Sequence, residues 1–264
     1  RPHSAPLWIV VAALLALSTF ESLNVVRDAF DTAVSVSAGA ERLEELEVAV
    51  TPGTVAWPTD STIRLENVSI IEEGETLVSD ATLVVAPGRR VALTGPSGIG
   101  KSTLLRALAA LDDVASGAAT IGHVAITDID EAEVRRHLAY VAAEPGLTRG
   151  FAVDVINLGR TSSRSAHEDM AAMGLPTDSN TRWEELSRGE RARIAIARAM
   201  VTSPLIYLLD EPTSGLGAEE TATVLSLLAS TGATVIVATH DPQVMAWCEE
   251  VLDLFGGALR PLRR

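Results

Sequence analysis

Apolar positions fall into two regimes along the chain. Residues 5–20 are almost uninterruptedly apolar, and over residues 21–35 apolar side chains recur at helical spacing. The uninterrupted run is shorter than the roughly 20 residues a membrane-crossing helix needs. A signal peptide, a buried core helix and the end of a membrane helix are all compatible with such a run. A signal peptide requires a basic leader and a small-residue cleavage site. Arg1 and His3 make a weak leader, and no Ala-x-Ala site follows. The run passes without a turn signal into the helical pattern, which favours one long helix leaving a membrane. Residues 1–47 are therefore read as the end of a membrane helix and its exit helix. The charges around Glu41, Arg42, Glu44 and Glu45 form a solvated helix face. Pro52, Gly53 and Pro58 mark residues 48–62 as a linker.

From Ile63 the pattern changes to short, β-rich runs at 63–70, 81–85 and 90–94, followed by a helix over 102–110. Further runs lie at 118–121, 138–142, 205–209 and 234–239, and a helical pattern covers 242–252. Fully apolar strands alternating with helices predict an α/β domain over residues 63–264, with a parallel sheet covered on both faces. Ligands bind at the carboxyl ends of such strands.

The sharpest chemical signal sits after the 90–94 run. Gly95, Pro96, Ser97, Gly98, Ile99, Gly100, Lys101, Ser102 and Thr103 reproduce the Gly-x-x-x-x-Gly-Lys-Ser spacing of a phosphate-binding loop. Lys101 is the chain's one lysine; its other cationic side chains are arginine and histidine. Glycines let backbone N–H groups close around phosphates, and the next helix aims its positive end at them. A lysine supplies a compact point charge where an arginine fork fits poorly. Ser102 is a candidate Mg²⁺ ligand, and so is Asp210, which ends an apolar run. Glu211 follows and is placed to polarise an attacking water. His240 ends the next apolar run and is placed to contact a terminal phosphate.

Composition narrows the rest. A net charge of −14 argues against nucleic acid as a partner, because phosphate contacts need a basic surface. One cysteine, Cys248, excludes an internal disulfide and reads as a buried, inert thiol. His3, His123, His137 and His167 lack chemical context and read as surface residues.

Leu186, Ser187, Arg188, Gly189 and Glu190, followed by an Arg- and Ala-rich helix, resemble the Leu-Ser-Gly-Gly-Gln signature of ATP-binding-cassette proteins. Phosphate loop, signature, Asp-Glu pair and histidine follow that family's order over about residues 60–260. The resemblance implies a P-loop ATPase domain with a small antiparallel β subdomain and a helical subdomain. It also implies ATP and Mg²⁺, and two cassettes paired head to tail. Ser187, Gly189 and Glu190 of one cassette would then meet the nucleotide held by the other. Arg188 replaces a family glycine and Glu190 the glutamine. Ile71 and Glu72 stand where an adenine-stacking aromatic is usual, Ala143 where a Mg²⁺-contacting glutamine is usual, and Gly217 where an aspartate is usual. These departures predict a heterodimer with two unequal ATP sites.

Residues 15–23 and 40–43 are similar to the last membrane helix and exit helix of CydC subunits, which belong to the CydDC thiol-reductant exporters. Residues 182–190 are similar to actinobacterial members of that family. The resemblance implies a multi-pass protein of the cell membrane with a cytoplasmic ATPase domain and a CydD-like partner. It implies export of cysteine or glutathione in support of cytochrome bd assembly. A half-exporter of lipids, peptides or drugs remains open, as does a soluble cassette ATPase.

Overall fold

The computed structural model describes residues 53–262 apart from 73, 145–149, 158–164 and 179. The predicted membrane-helix end and exit helix lie outside the described residues. Among the described residues no helix is long and apolar enough to cross a membrane.

Two sheets form the domain. The smaller contains β1 (Ile63–Glu72), β2 (Glu75–Val85), β4 (Ser116–Ile121) and β5 (Val124–Ala125), in the order β2-β1-β4-β5. Its β1–β2, β1–β4 and β4–β5 pairs are antiparallel, as the resemblance implied for this subdomain. β1 buries Ile63, Leu65, Val68 and Ile70, so one face packs inward. The strand predicted at 81–85 begins earlier, at Glu75. Asp80 in β2, at φ 49°, and Asn67 in β1, at φ 50°, sit at irregular positions in the ladder. Those bulges break the period-two pattern that a sequence reading depends on.

The larger sheet has the order β10-β9-β3-β8-β7-β6. It is built from β3 (Arg90–Thr94), β6 (Leu138–Val141), β7 (Ile206–Asp210), β8 (Thr234–Ala238), β9 (Glu250–Phe255) and β10 (Ala258–Pro261). All neighbours are parallel except the β9–β10 hairpin. Every residue of β7 and β8 is buried. In β7, Ile206 and Leu208 enter one core while Tyr207 and Leu209 enter the other. The first core packs α1 (Lys101–Leu108) between the two sheets. The second packs α3 (Ala152–Asn157), α4 (Ala166–Ala172), α5 (Arg188–Met200) and α6 (Ala218–Ser230) on the opposite face. A sheet covered on both faces is what the uninterrupted apolar strands predicted.

Two expectations change. The helix predicted over 242–252 is α7 (Pro242–Trp247) alone, started by the Asp241 cap and by Pro242 in the first turn. Val251 and Leu252 belong instead to β9, whose hairpin turns on Gly256 and Gly257, both at positive φ. Apolar residues at 244, 247, 248, 251 and 252 fit a helical period. The parallel pairing of β9 with β3 overrides that local pattern. His137, at the end of α2 (Glu131–His137), is not a free surface ring: it stacks on Trp57 at 4.8 Å between centroids. The same linker stretch is pinned by Val55, whose N–H donates to Asp128 O at 3.0 Å and whose carbonyl accepts from Asp130 N at 2.8 Å. Cys248 is buried as expected.

Leu208 sits at the centre of the sheet and is fully buried. Leu208→Ala is expected to lower unfolding free energy by about 2–5 kcal/mol. The exposed Val84→Ala is expected to change it by about 0.5 kcal/mol or less. Urea denaturation followed by circular dichroism checks both.

Candidate nucleotide site

β3 ends at Thr94, and the loop 95–100 turns the chain into α1. Gly95 has φ 137°, and a Cβ there would lie 2.4 Å from Leu254 O. Only glycine fits this conformation this close to β9. Gly100 caps α1 at φ 105° and offers no side chain to the first turn, which also contains no acidic residue. The first N–H groups of α1 therefore keep their capacity to bind an anion. By contrast, α2, α4, α5 and α7 are capped by the side chains of Asp130, Ser165, Ser187 and Asp241.

Lys101 is 7 % exposed and turns back over this loop. Its Nζ donates to Gly95 O at 2.7 Å and Pro96 O at 2.9 Å, and lies 3.3 Å from His240 Nε2. His240 Nε2 is in turn 3.7 Å from Glu211 Oε1. Burial lowers the affinity of the Lys101 ammonium for its proton, and the carboxylates of Glu211, Asp210 and Asp253 oppose that shift without cancelling it. Asp210 is the last residue of β7 and is buried. Glu211 has φ 46°, unusual for a residue with a side chain, and its N–H donates to Ala238 O at 2.9 Å. Thr213 Oγ1 donates to Asp241 Oδ2 at 2.9 Å, and Asp241 N–H donates to Thr239 Oγ1 at 3.0 Å. These bonds tie the turn after β7 to the turn that carries His240.

The structure thus brings Lys101, Asp210, Glu211 and His240 together at the carboxyl ends of β3, β7 and β8. Ser102 is exposed in the first turn of α1, beside them in sequence and on the same helix end. Thr103 is buried, and its hydroxyl donates to Glu72 Oε2 at 3.3 Å.

Ser187, Gly189 and Glu190 form a separate group at the start of α5. Ser187 Oγ donates to Glu190 Oε2 at 2.7 Å and accepts from Glu190 N–H at 3.2 Å; Ser187 N–H donates to the same carboxylate at 2.8 Å. These bonds, the Ser187 hydroxyl first, hold the Glu190 pKa below its ordinary value. A Cβ on Gly189 would meet Gly215 O at 2.7 Å, so this helix start is pressed against the turn after β7.

Sequence reasoning missed three contributors. Asp253 faces Thr94 across the parallel β3–β9 ladder, a pairing no local signal announces. Glu72 reaches Thr103 from a distant strand end. Arg193 is buried; it donates to Met173 O at 2.9 Å and pairs with Glu220 at 3.1 Å. Glu220's other oxygen accepts from Gly217 N–H at 2.8 Å.

Comparison with known proteins decides the family. The ABC transporter family model matches residues 78–214. The chain belongs to the ABC transporter family. It is 32% identical over 235 residues to ATP-binding cassette sub-family B member 6 of Mus musculus, covering 82% of this chain and 28% of that protein. It is 34% identical over 201 residues to the lipoprotein-releasing system ATP-binding protein LolD of Chromohalobacter salexigens, covering 70% and 85%. Similarity to a probable ABC transporter ATP-binding/permease protein of Haemophilus influenzae, at 29% identity over 271 residues, covers 95% and 49%. The chain therefore spans half or less of its ATP-binding/permease relatives. The fold matches a bacterial Atm1-family ABC exporter with ATP bound at TM-score 0.73 and 27% identity, over 86% of this chain and 43% of that one. The domain is an α/β P-loop ABC ATPase domain.

The capping box of α5 yields a pH prediction. Glu190's folded pKa lies below its ordinary 4.5, so its stabilisation is present above that value and is lost as pH falls through the lower, folded one. Glu190→Gln keeps the cap without the charge. It is expected to flatten the decline in urea midpoint between about pH 5 and pH 3, whereas an unchanged acid limb would assign that decline to other carboxylates.

Proposed function

We propose that this chain supplies the ATP-hydrolysing domain of one half of an exporter-type ABC transporter. The observation that carries the proposal is the apposition of Lys101, His240 and Glu211 beside a glycine loop and an uncapped helix start. The β- and γ-phosphates of ATP would take the place of the Gly95 and Pro96 carbonyls as partners of Lys101 Nζ. A buried ammonium whose proton is already loosened by desolvation gains most from such an anion. The N–H groups of the 95–103 loop and of α1 would complete the cradle.

Ser102 and Asp210 offer the oxygen donors a hard cation requires. Mg²⁺ held there would neutralise charge on the transferring phosphoryl group. The protein's own side chains do the rest. Glu211, fixed in its unusual backbone conformation, accepts a proton from the attacking water. His240, between Glu211 and Lys101, holds that water and the terminal phosphate in line. This is catalysis by positioning and charge.

Ser187, Gly189 and Glu190 lie apart from Lys101, which suits contact with a nucleotide held by a second cassette. That partner would be a homologous half-transporter in a head-to-tail pair. Ala143 and Gly217 depart from the usual residues of such sites, so the two sites would hydrolyse ATP at unequal rates. The similarity to an ATP-binding/permease protein over 95% of this chain supports a membrane part preceding the ATPase domain, which would then face the cytoplasm. Residues 15–23, 40–43 and 182–190 support cysteine or glutathione as cargo and a CydD-like partner. The match to a lipoprotein-releasing ATP-binding protein favours a second reading, in which the same ATPase domain serves another cargo.

Lys101→Ala is expected to weaken ATP binding by about tenfold or more. Glu211→Gln is expected to leave binding intact and reduce kcat by about 10²- to 10⁴-fold. Equilibrium binding and phosphate release separate the two effects, and unchanged ATP affinity in Lys101→Ala would overturn the assignment of the loop. Cargo is tested in inverted membrane vesicles containing the full-length subunit and its partner. ATP-dependent accumulation of labelled cysteine or glutathione, absent with Lys101→Ala, is the expected result. Robust ATPase without thiol uptake would retain the ABC reading and discard the thiol cargo.

A further inference from the structure

One buried guanidinium joins three helices. Arg193 lies in the second turn of α5. Its Nη1 donates to Met173 O at 2.9 Å and to Gly174 O at 3.2 Å, just past the end of α4. Its Nη2 meets Glu220 Oε1 at 3.1 Å, in the first turn of α6. Glu220 Oε2 accepts from the N–H of Gly217, the residue that opens α6, at 2.8 Å. The two ends of this chain of bonds depend on each other. A buried charge stripped of its partner is costly, so Arg193 needs the carboxylate. Gly217 has no side chain with which to cap the helix it opens, so the carboxylate reaching back from Glu220 holds that first turn instead. Without Arg193, the partly exposed Glu220 would be free to turn towards water.

The segment between Glu211 and Gly217 is tied at both ends. At its start the Glu211 N–H and the Thr213 hydroxyl bond to Ala238 O and to the Asp241 carboxylate. Within it, Ser214 N–H donates to Glu211 O at 3.1 Å and Leu216 N–H to Thr213 O at 3.0 Å. At its end stands the Arg193–Glu220 pair. Glu211 is held at φ 46°, a conformation that persists in a residue with a side chain only where its surroundings enforce it. Short hydrogen-bonded turns connect Gly217 to Glu211, so slack at one end reaches the other.

We propose that Arg193 is a positioning residue for ATP hydrolysis. Through Glu220 and Gly217 it fixes the turn 211–217, and with it the setting of Glu211 against His240. The proposal rests on the reading of Glu211 as the group that takes a proton from the attacking water. Arg193 itself touches neither the loop 95–103 nor Lys101, so nucleotide affinity does not pass through it.

The test uses the full-length subunit with its partner, measuring ATP affinity by equilibrium binding and turnover by phosphate release. The share of turnover that Glu211→Gln removes belongs to this chain's own site. Glu220→Gln keeps an oxygen for the Gly217 N–H but loses the charge that holds Arg193. Arg193→Lys puts a point charge where a fork is needed to span the carboxylate and two carbonyls. Each is expected to lower that share about five- to tenfold, less than the roughly hundredfold that an ångström of misplacement can cost. Each is expected to leave ATP affinity unchanged, with rates compared at a temperature where circular dichroism shows every variant folded. The double variant is expected to be no slower than the slower single one, because both changes remove the same link. Glu219→Gln makes the same charge change at the exposed neighbouring position and is expected to leave turnover as it was. Unchanged turnover in both link variants would overturn the proposal, as would losses that multiply in the double variant. An equal loss in Glu219→Gln, or a parallel fall in ATP affinity, would overturn it too. If Glu211→Gln removed no turnover, the catalytic reading would fall and the proposal with it, an outcome distinct from all the others.

Discussion

The register of the three central parallel strands is the constraint on which the rest of the domain depends. Leu93 of β3 and Asp210 of β7 both pair with Ala238 of β8. The turns that follow therefore leave the sheet at one level. The loop 95–100, Glu211 and His240 meet only because those three strands end together. Both faces of the sheet are buried, so a one-residue slip would exchange the cores served by Leu208 and Tyr207 and would also pull Asp210 away from Lys101. Core packing and site geometry are thus enforced by the same ladder, and the apolar strands are as much a part of the site as its charged residues.

Within that frame the site is poised by opposed electrostatic effects. Burying Lys101 weakens its hold on the proton, while three carboxylates from β7, the turn after it and β9 restore part of it. The ammonium is left with two carbonyl oxygens and an imidazole nitrogen, partners that carry no full negative charge. A polyphosphate would satisfy it better than anything in the chain does. The uncapped start of α1 points to the same ligand. Four helices of the described residues begin with a side-chain cap, yet the one that follows the glycine loop has none.

Much of this was legible in the sequence because it is local. The phosphate loop compresses a turn, a cradle and a helix start into nine consecutive residues, and fully apolar β7 and β8 announce a sheet buried on two sides. The Asp210–Glu211 pair and His240 were placed by their position just past those runs. What escaped depends on contacts between distant segments. Asp253 joins the site only through the β9–β3 pairing, and β9 itself was hidden in an apolar pattern equally suited to a helix. The Thr103–Glu72 bond crosses from a helix to a strand end. His137 was read as a surface ring because nothing near it in sequence shows that Trp57 covers it. The start of β2 was missed because bulges at Asn67 and Asp80 scramble its alternation.

The α5 region shows why position alone does not fix a role. Its start also has a glycine, but there the Glu190 carboxylate accepts from the Ser187 N–H and hydroxyl, and Ser187 Oγ accepts from the Glu190 N–H. A phosphate arriving there must compete with a carboxylate of the same chain, whereas one arriving at α1 displaces only neutral carbonyls from Lys101. The two helix starts are therefore unequal by construction: that of α1 is open to an anion, and that of α5 is already engaged by a carboxylate of its own chain. The condition is mechanical as well as electrostatic. Gly189 is pressed against Gly215, and Arg193 reaches through Glu220 to the N–H of Gly217. Movement of the signature helix start must then move the turn behind Asp210 and Glu211. An anion arriving at α5 would in this way be felt in the turn that follows Asp210 and Glu211.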